Sequence, residues 1–178
     1  GHARTRVAHF GSWPDVWHMI ARLTRGRVFL MQQAIPLARA DGRPFDLRLL
    51  VQKRPDGRWR FTGGAARVAG PGQITTHVPR GGRRMAMAAA LQKAFGDAGP
   101  RLAEEVARLA ERAAEALERS LRRRFVELSL DVGVDRDGHA WIFELNAKPL
   151  HCDEPDIHSR RVANLVEYAA AAAARRPR

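Results

Sequence analysis

The stretch Asp131-Val-Gly-Val-Asp-Arg-Asp-Gly-His-Ala-Trp-Ile-Phe-Glu144-Leu-Asn146 sets carboxylates and an amide at strand-like spacing inside an apolar frame. Asp137-Gly138 between apolar runs is the signal of a two-residue hairpin loop. Closing the hairpin there pairs Arg136 with His139 and, counting back along both strands, Asp131 with Glu144. Side chains alternate along a strand, so Asn146 joins the face of Glu144. Val132, Val134, Trp141, Phe143 and Leu145 then turn the other way, toward a core. A four-residue loop would set Glu144 diagonal to Asp131, still on its face.

Like charges directly opposite each other repel and destabilise a sheet. A divalent cation between them reverses that effect. Two carboxylates and an amide, completed by waters and phosphate oxygens, suit Mg²⁺. The alternative is an edge hairpin with solvated carboxylates. Repulsion in the free protein implies that Asp131→Asn leaves stability unchanged or slightly raised. No convincing nucleophile accompanies the carboxylates. Cys152 lies between His151 and Asp153, near His158, but no second ligand set has the spacing of a zinc site.

The elements around this hairpin follow from periodicity and turn residues. Ser12-Trp13-Pro14-Asp15 reads as a helix start, with the helix running to about Thr24 and Val16, Ile20 and Leu23 on one face. The apolar run 28–35, stopped by Pro36, reads as a buried strand. Asp41-Gly42-Arg43-Pro44 is a turn, and 45–54 with 58–68 form a hairpin around Pro55-Asp56-Gly57. A glycine-rich loop lies between residues 70 and 83. Helices are expected over 85–95 and 101–123, the second amphipathic through Leu102, Val106, Leu109, Ala113, Leu117 and Leu121. A final helix covers 159–174. This order predicts an α+β fold, a mainly antiparallel sheet packed against helices.

Composition narrows the function classes. At 178 residues with 45% apolar content, the chain has the length and composition of one globular domain;. No apolar run reaches membrane-spanning length, so no membrane partner is expected. One cysteine cannot form an internal disulfide, which with no signal peptide points to the cytoplasm. The opening Gly1-His2, without methionine, reads as a cloning scar or a cut site. The net charge of +12 is almost all arginine, because lysine occurs only at Lys53, Lys93 and Lys148. Sparse aromatics, not interleaved with the arginines, argue against a nucleic-acid stacking platform.

The string from Asp131 to Pro149 resembles the metal-binding end of ATP-grasp ligases such as D-alanine–D-alanine ligase. A closer resemblance is to the YheC/YheD endospore coat-associated family. It is carried by QQAIPLARADGRPFDLRLLVQK (32–53), AARVAGPG (65–72), RGG (80–82) and FELNAKP (143–149). The resemblance implies an ATP-grasp C-terminal lobe over 28–150, after a leading segment 1–27 and before a helix and tail over 151–178. It implies Mg²⁺ ligation by Asp131, Glu144 and Asn146, and ATP contacts from Gln32, Gln33, Ala34 and Ile35, with Asn146 beside them. Arg48, Arg67 and Arg80 match cationic catalytic positions facing phosphates or an acyl phosphate. The implied reaction is ATP-dependent carboxylate–amine ligation, with ATP and an unknown carboxylate as partners and association with the spore as a further expectation.

Leu150 and His77 depart from the family pattern. Only 31 residues precede Gln32, with no lysine and no flap-like run among them. The resemblance therefore implies that this chain by itself lacks the first ATP-clamping lobe, which would be its contact partner. The alternatives are a non-catalytic structural spore-coat protein keeping the fold, and an arginine-rich nucleic-acid binder.

Overall fold

The computed structural model describes residues 8–71, 73, 76, 81–147, 149 and 154–175. The chain divides into two compact units, Gly1–Ile35 and Pro36–Arg178. In the first, helix α1 (Trp13–Thr24) starts where the Ser12 side chain accepts a hydrogen bond from the Asp15 N–H, with proline in the first turn;. Residues 28–35 do not form the expected strand. Val28 is fully exposed, Phe29, Leu30 and Met31 are mostly so, and the run pairs with no strand among the described residues. Apolar composition gives a strand its side chains, but only a neighbouring ladder satisfies its backbone.

The second unit has strands β1 (Arg39–Ala40), β2 (Arg43–Lys53), β3 (Trp59–Val68), β4 (Arg83–Ala86), β5 (Glu127–Val134) and β6 (Ala140–Asn146). They form one antiparallel sheet in the order β4-β3-β2-β5-β6, with β1 on the start of β2. Helices α2 (Met87–Phe95), α3 (Gly99–Leu121) and α4 (Pro155–Ala174) complete an α+β unit, as the sequence led one to expect. Asp41 and Gly42 both take positive φ, the geometry of a tight hairpin turn between β1 and β2;. Strand β4 corrects the reading of 85–95 as helix from its start. Met85 and Ala86 pair with Ala66 and Ala65 of β3, so a sheet edge overrides local helix propensity there;.

Alternation along β2 gives the sheet two different faces. Phe45, Leu47, Leu49 and Val51 enter the core with Leu128, Leu130, Val132 and Val134 of β5. Met87, Ala90 and Leu91 of α2 and Val106, Ala110 and Ala114 of α3 close over them. The buried stripe of α3 is thus Leu102, Val106, Ala110 and Ala114, while Leu121 is half-exposed. On the opposite face stand Asp46, Arg48, Leu50 and Gln52. Helix α4 covers the Leu50 end of it. Ile157 packs against Leu50 and lies 2.8 Å from where a Cβ on Gly63 would sit, so only glycine lets the helix come this close. The Gln52 amide donates to the Arg161 carbonyl and accepts from Asn164, and the Arg161 guanidinium reaches Glu127 at 2.8 Å. This docking leaves the Asp46 and Arg48 end of the face to a polar cluster.

Candidate functional site

Asp131, Glu144 and Asn146 do share one face, through a hairpin that departs from the expected one twice. The loop has three residues, 136–138: Asp135 N–H donates to the His139 carbonyl at 2.9 Å, Gly138 N–H to the Asp135 carbonyl at 3.1 Å, and Gly138 has φ 87°;. That sets Val134 opposite Ala140, Gly133 opposite Trp141 and Val132 opposite Ile142. Phe143 is then the extra residue of a bulge, after which Asp131 faces Glu144, Leu130 faces Leu145 and Ser129 faces Asn146;. The longer loop and the bulge cancel, and the carboxylates meet.

The same shift overturns the expected orientation of two rings. A slip of one residue sends a side chain to the other face. Trp141, opposite Gly133, lies on the carboxylate face and donates its indole N–H to Asp135 at 2.8 Å. The Phe143 ring covers Gly133 on that face, 2.4 Å from where a Cβ there would stand. Neither ring enters the core as the simple alternation implied; both are partly exposed.

Arg48 and Arg67 join the carboxylates because the ladders align them. Arg48 is opposite Asp131 across β2 and β5, and Arg67 is opposite Asp46 across β2 and β3. Arg48 places Nε 2.8 Å from Oδ1 and Nη2 3.0 Å from Oδ2 of Asp131. Arg67 makes two parallel bonds to Asp46 at 2.8 and 2.7 Å, and its Nη2 also reaches Asp131 Oδ2 at 3.0 Å. Burial works against the Arg67 charge, but hydrogen bonding and attraction from Asp46, then Asp131, raise its pKa well above the ordinary value. Glu144 is exposed and has no ion-pair partner among the described residues. Two guanidinium groups against three carboxylates leave the cluster with one net negative charge, located at Glu144.

These contacts correct the expected effect of Asp131→Asn. Asp131 is not simply repelled by Glu144; it is the shared partner of two arginines, its side chain only 13% exposed. Removing its charge takes from Arg48 the carboxylate it pairs with and from Arg67 one of two, since Asp46 still holds Arg67.

Asp46 was not among the residues singled out from the sequence. Its side chain is 9% exposed, anchors Arg67, and accepts from the Thr76 hydroxyl at 2.7 Å. The available signal was its spacing: Asp46 and Arg48 stand two apart in the apolar strand Phe45-Asp-Leu-Arg-Leu-Leu-Val51, which puts both on one face;. Arg84, opposite Arg67, adds a further cation to that face and lies 3.9 Å from Glu154. Gln32, Gln33, Ala34 and Ile35 lie in the first unit, outside any helix or strand and largely exposed. Arg80, His77, Leu150 and the group His151, Cys152 and Asp153 lie outside the described residues.

The donor set fits a hard divalent cation. Asp131 and Glu144 are a direct cross-strand pair, Asn146 is the next residue on that face of β6, and all offer oxygen;. Asp135, Asp137 and His139 also bring potential ligand atoms within 4.8 Å of one another. Turn chemistry accounts for that grouping. Asp135 Oδ1 accepts from the N–H groups of Asp137 and His139 at 3.0 and 2.9 Å, while Oδ2 takes the Trp141 indole. The Trp141 bond is the main reason that the Asp135 pKa is lowered, with burial opposing.

Comparison with known proteins adds a family and a relative. The family described as YheC/D like ATP-grasp matches residues 2–171. The endospore coat-associated protein YheD of Bacillus subtilis (strain 168) is 29% identical over 134 residues, covering 73% of this chain. That alignment takes in 29% of the relative, so the chain spans well under half of its length.

Proposed function

Because the chain belongs to the YheC/D-like ATP-grasp family, we propose that the carboxylate face of its sheet holds ATP with Mg²⁺ and serves an ATP-dependent carboxylate–amine ligase acting through an acyl phosphate. The observation that carries this reading is the Asp131–Glu144 cross-strand pair with Arg48 and Arg67 on the same face. Phosphoryl transfer needs positioning and charge neutralisation more than a protein nucleophile. Asp131, Glu144 and Asn146 would hold the cation, whose chemistry is to neutralise charge on phosphate oxygens. Arg48 and Arg67 supply planar guanidinium forks, matched to phosphate or carboxylate oxygens. Asp46 keeps Arg67 oriented and charged. Gln32, Gln33, Ala34 and Ile35 would contribute the adenine-side contacts, and Arg80 a further cation.

Melting with and without ATP, in Mg²⁺ and in EDTA, tests the reading, because a ligand that binds only the folded chain raises its melting temperature. ATP is expected to raise it in Mg²⁺ and not in EDTA. Equal shifts in both would overturn metal-dependent nucleotide binding.

A second reading keeps the fold without turnover, as a structural spore-coat protein. Two observations favour it: the two arginines already held by Asp131, and the coat association in the name of the B. subtilis relative. It implies no ATP shift in Mg²⁺ or in EDTA.

A further inference from the structure

We infer that Arg48 and the divalent cation compete for Asp131, so that the cation releases Arg48 toward the anionic ligand while Arg67 stays in place. This rests on the proposed metal site. Asp131 Oδ1 is 2.8 Å from Arg48 Nε, and Oδ2 is 3.0 Å from both Arg48 Nη2 and Arg67 Nη2. Mg²⁺ binds oxygen at about 2.0–2.1 Å and demands near-octahedral room. A cation that close to Asp131 would share its carboxylate with two guanidinium groups of like charge. One of the three must give way.

The two arginines differ in what else holds them. Arg67 keeps Asp46 through two bonds of 2.8 and 2.7 Å, on a carboxylate with a 9% exposed side chain. Among the described residues Arg48 has Asp131 alone, since its neighbour on the β3 side is Ala65. Even that grip is uneven: the Nε contact has ion-pair distance without hydrogen-bond alignment, so one aligned bond remains. Arg48 is therefore the group that leaves, and its fork comes free on the face that bears Glu144. Arg67 acts as a fixed wall, and Asp46 is its positioning residue.

The test uses Mn²⁺ alone as the probe, with binding read from water-proton relaxation on the wild type, Arg48→Gln, Arg67→Lys and Glu144→Gln. Removing a cation that competes at hydrogen-bond distance is expected to tighten Mn²⁺ binding about tenfold in Arg48→Gln, the scale on which a close charge shifts a carboxylate's equilibrium. Arg67→Lys, which keeps its charge, is not expected to tighten it, and Glu144→Gln is expected to weaken it. Unchanged or weaker binding in Arg48→Gln, with binding still weakened in Glu144→Gln, overturns the competition and leaves the metal site standing. Absence of Mn²⁺ binding in every protein overturns both. Should Arg48→Gln not fold, the Nε–H resonances of the wild type decide. Mg²⁺ is expected to move the Arg48 signal and not the Arg67 signal; movement of both, or of neither, contradicts the inference.

Discussion

Asp46→Asn is expected to lower the melting temperature by roughly 6–12 °C, from about 3 kcal/mol of lost stability in a chain of this size. The substitution removes the charge that faces Arg67 through two bonds and also weakens the acceptor for Thr76. Among the described residues, a guanidinium as buried as Arg67 then keeps Asp131 as its one anionic contact. Removing one member of a desolvated pair costs more than the pair is worth, because the other charge stays behind. Glu104→Gln is the control: its partner Arg108 and Glu104 itself are both exposed, and such pairs contribute about 0–1 kcal/mol;. Thermal unfolding followed by circular dichroism reads both. Equal shifts in the two variants would mean that the Asp46–Arg67 pair has no special weight.

Asp131→Asn is expected to cost about 2 kcal/mol, the scale of hydrogen bonds to charged groups, or roughly 4–8 °C of melting temperature. Glu144→Gln should be neutral or slightly stabilising, because it relieves repulsion without stranding a cation. The contrast between two facing carboxylates is the informative result. Sheet pairing treats them alike, while among the described residues the ion-pair geometry gives only Asp131 a counter-ion. A double-mutant cycle of Asp131→Asn with Arg48→Gln measures that coupling directly. Equal effects of the two carboxylate substitutions would contradict the arrangement.

The pairing of Asp131 with Glu144 was legible because alternation and a turn signal act over a few residues. It held through compensation: the loop gained a residue at the tip and Phe143 took up the difference as a bulge. Trp141 lies between loop and bulge, so its face could not be read from a regular strand, and Phe143 is the bulge itself. The sign of the Asp131→Asn effect was hidden for another reason. Arg48 is 83 residues away in sequence, and only the β2–β5 register brings it to Asp131. Asp46 was hidden behind the arginines, which attract notice as phosphate partners while their own counter-ions do not. The run 28–35 shows the reverse failure. Its apolar residues match a strand, yet strand formation depends on a partner that local sequence does not contain.

The most direct test of the nucleotide–metal face is calorimetry of ATP binding to this chain, in Mg²⁺ and in EDTA, with the wild type and Glu144→Gln. The wild type is expected to bind ATP in Mg²⁺ and to lose that binding in EDTA. Glu144→Gln, with its melting temperature unchanged, should weaken Mg²⁺–ATP at least about tenfold, since even residues that only orient metal ligands contribute that much. ATP binding of equal strength in Mg²⁺ and EDTA, or Mg²⁺-dependent binding that Glu144→Gln leaves intact, would contradict it.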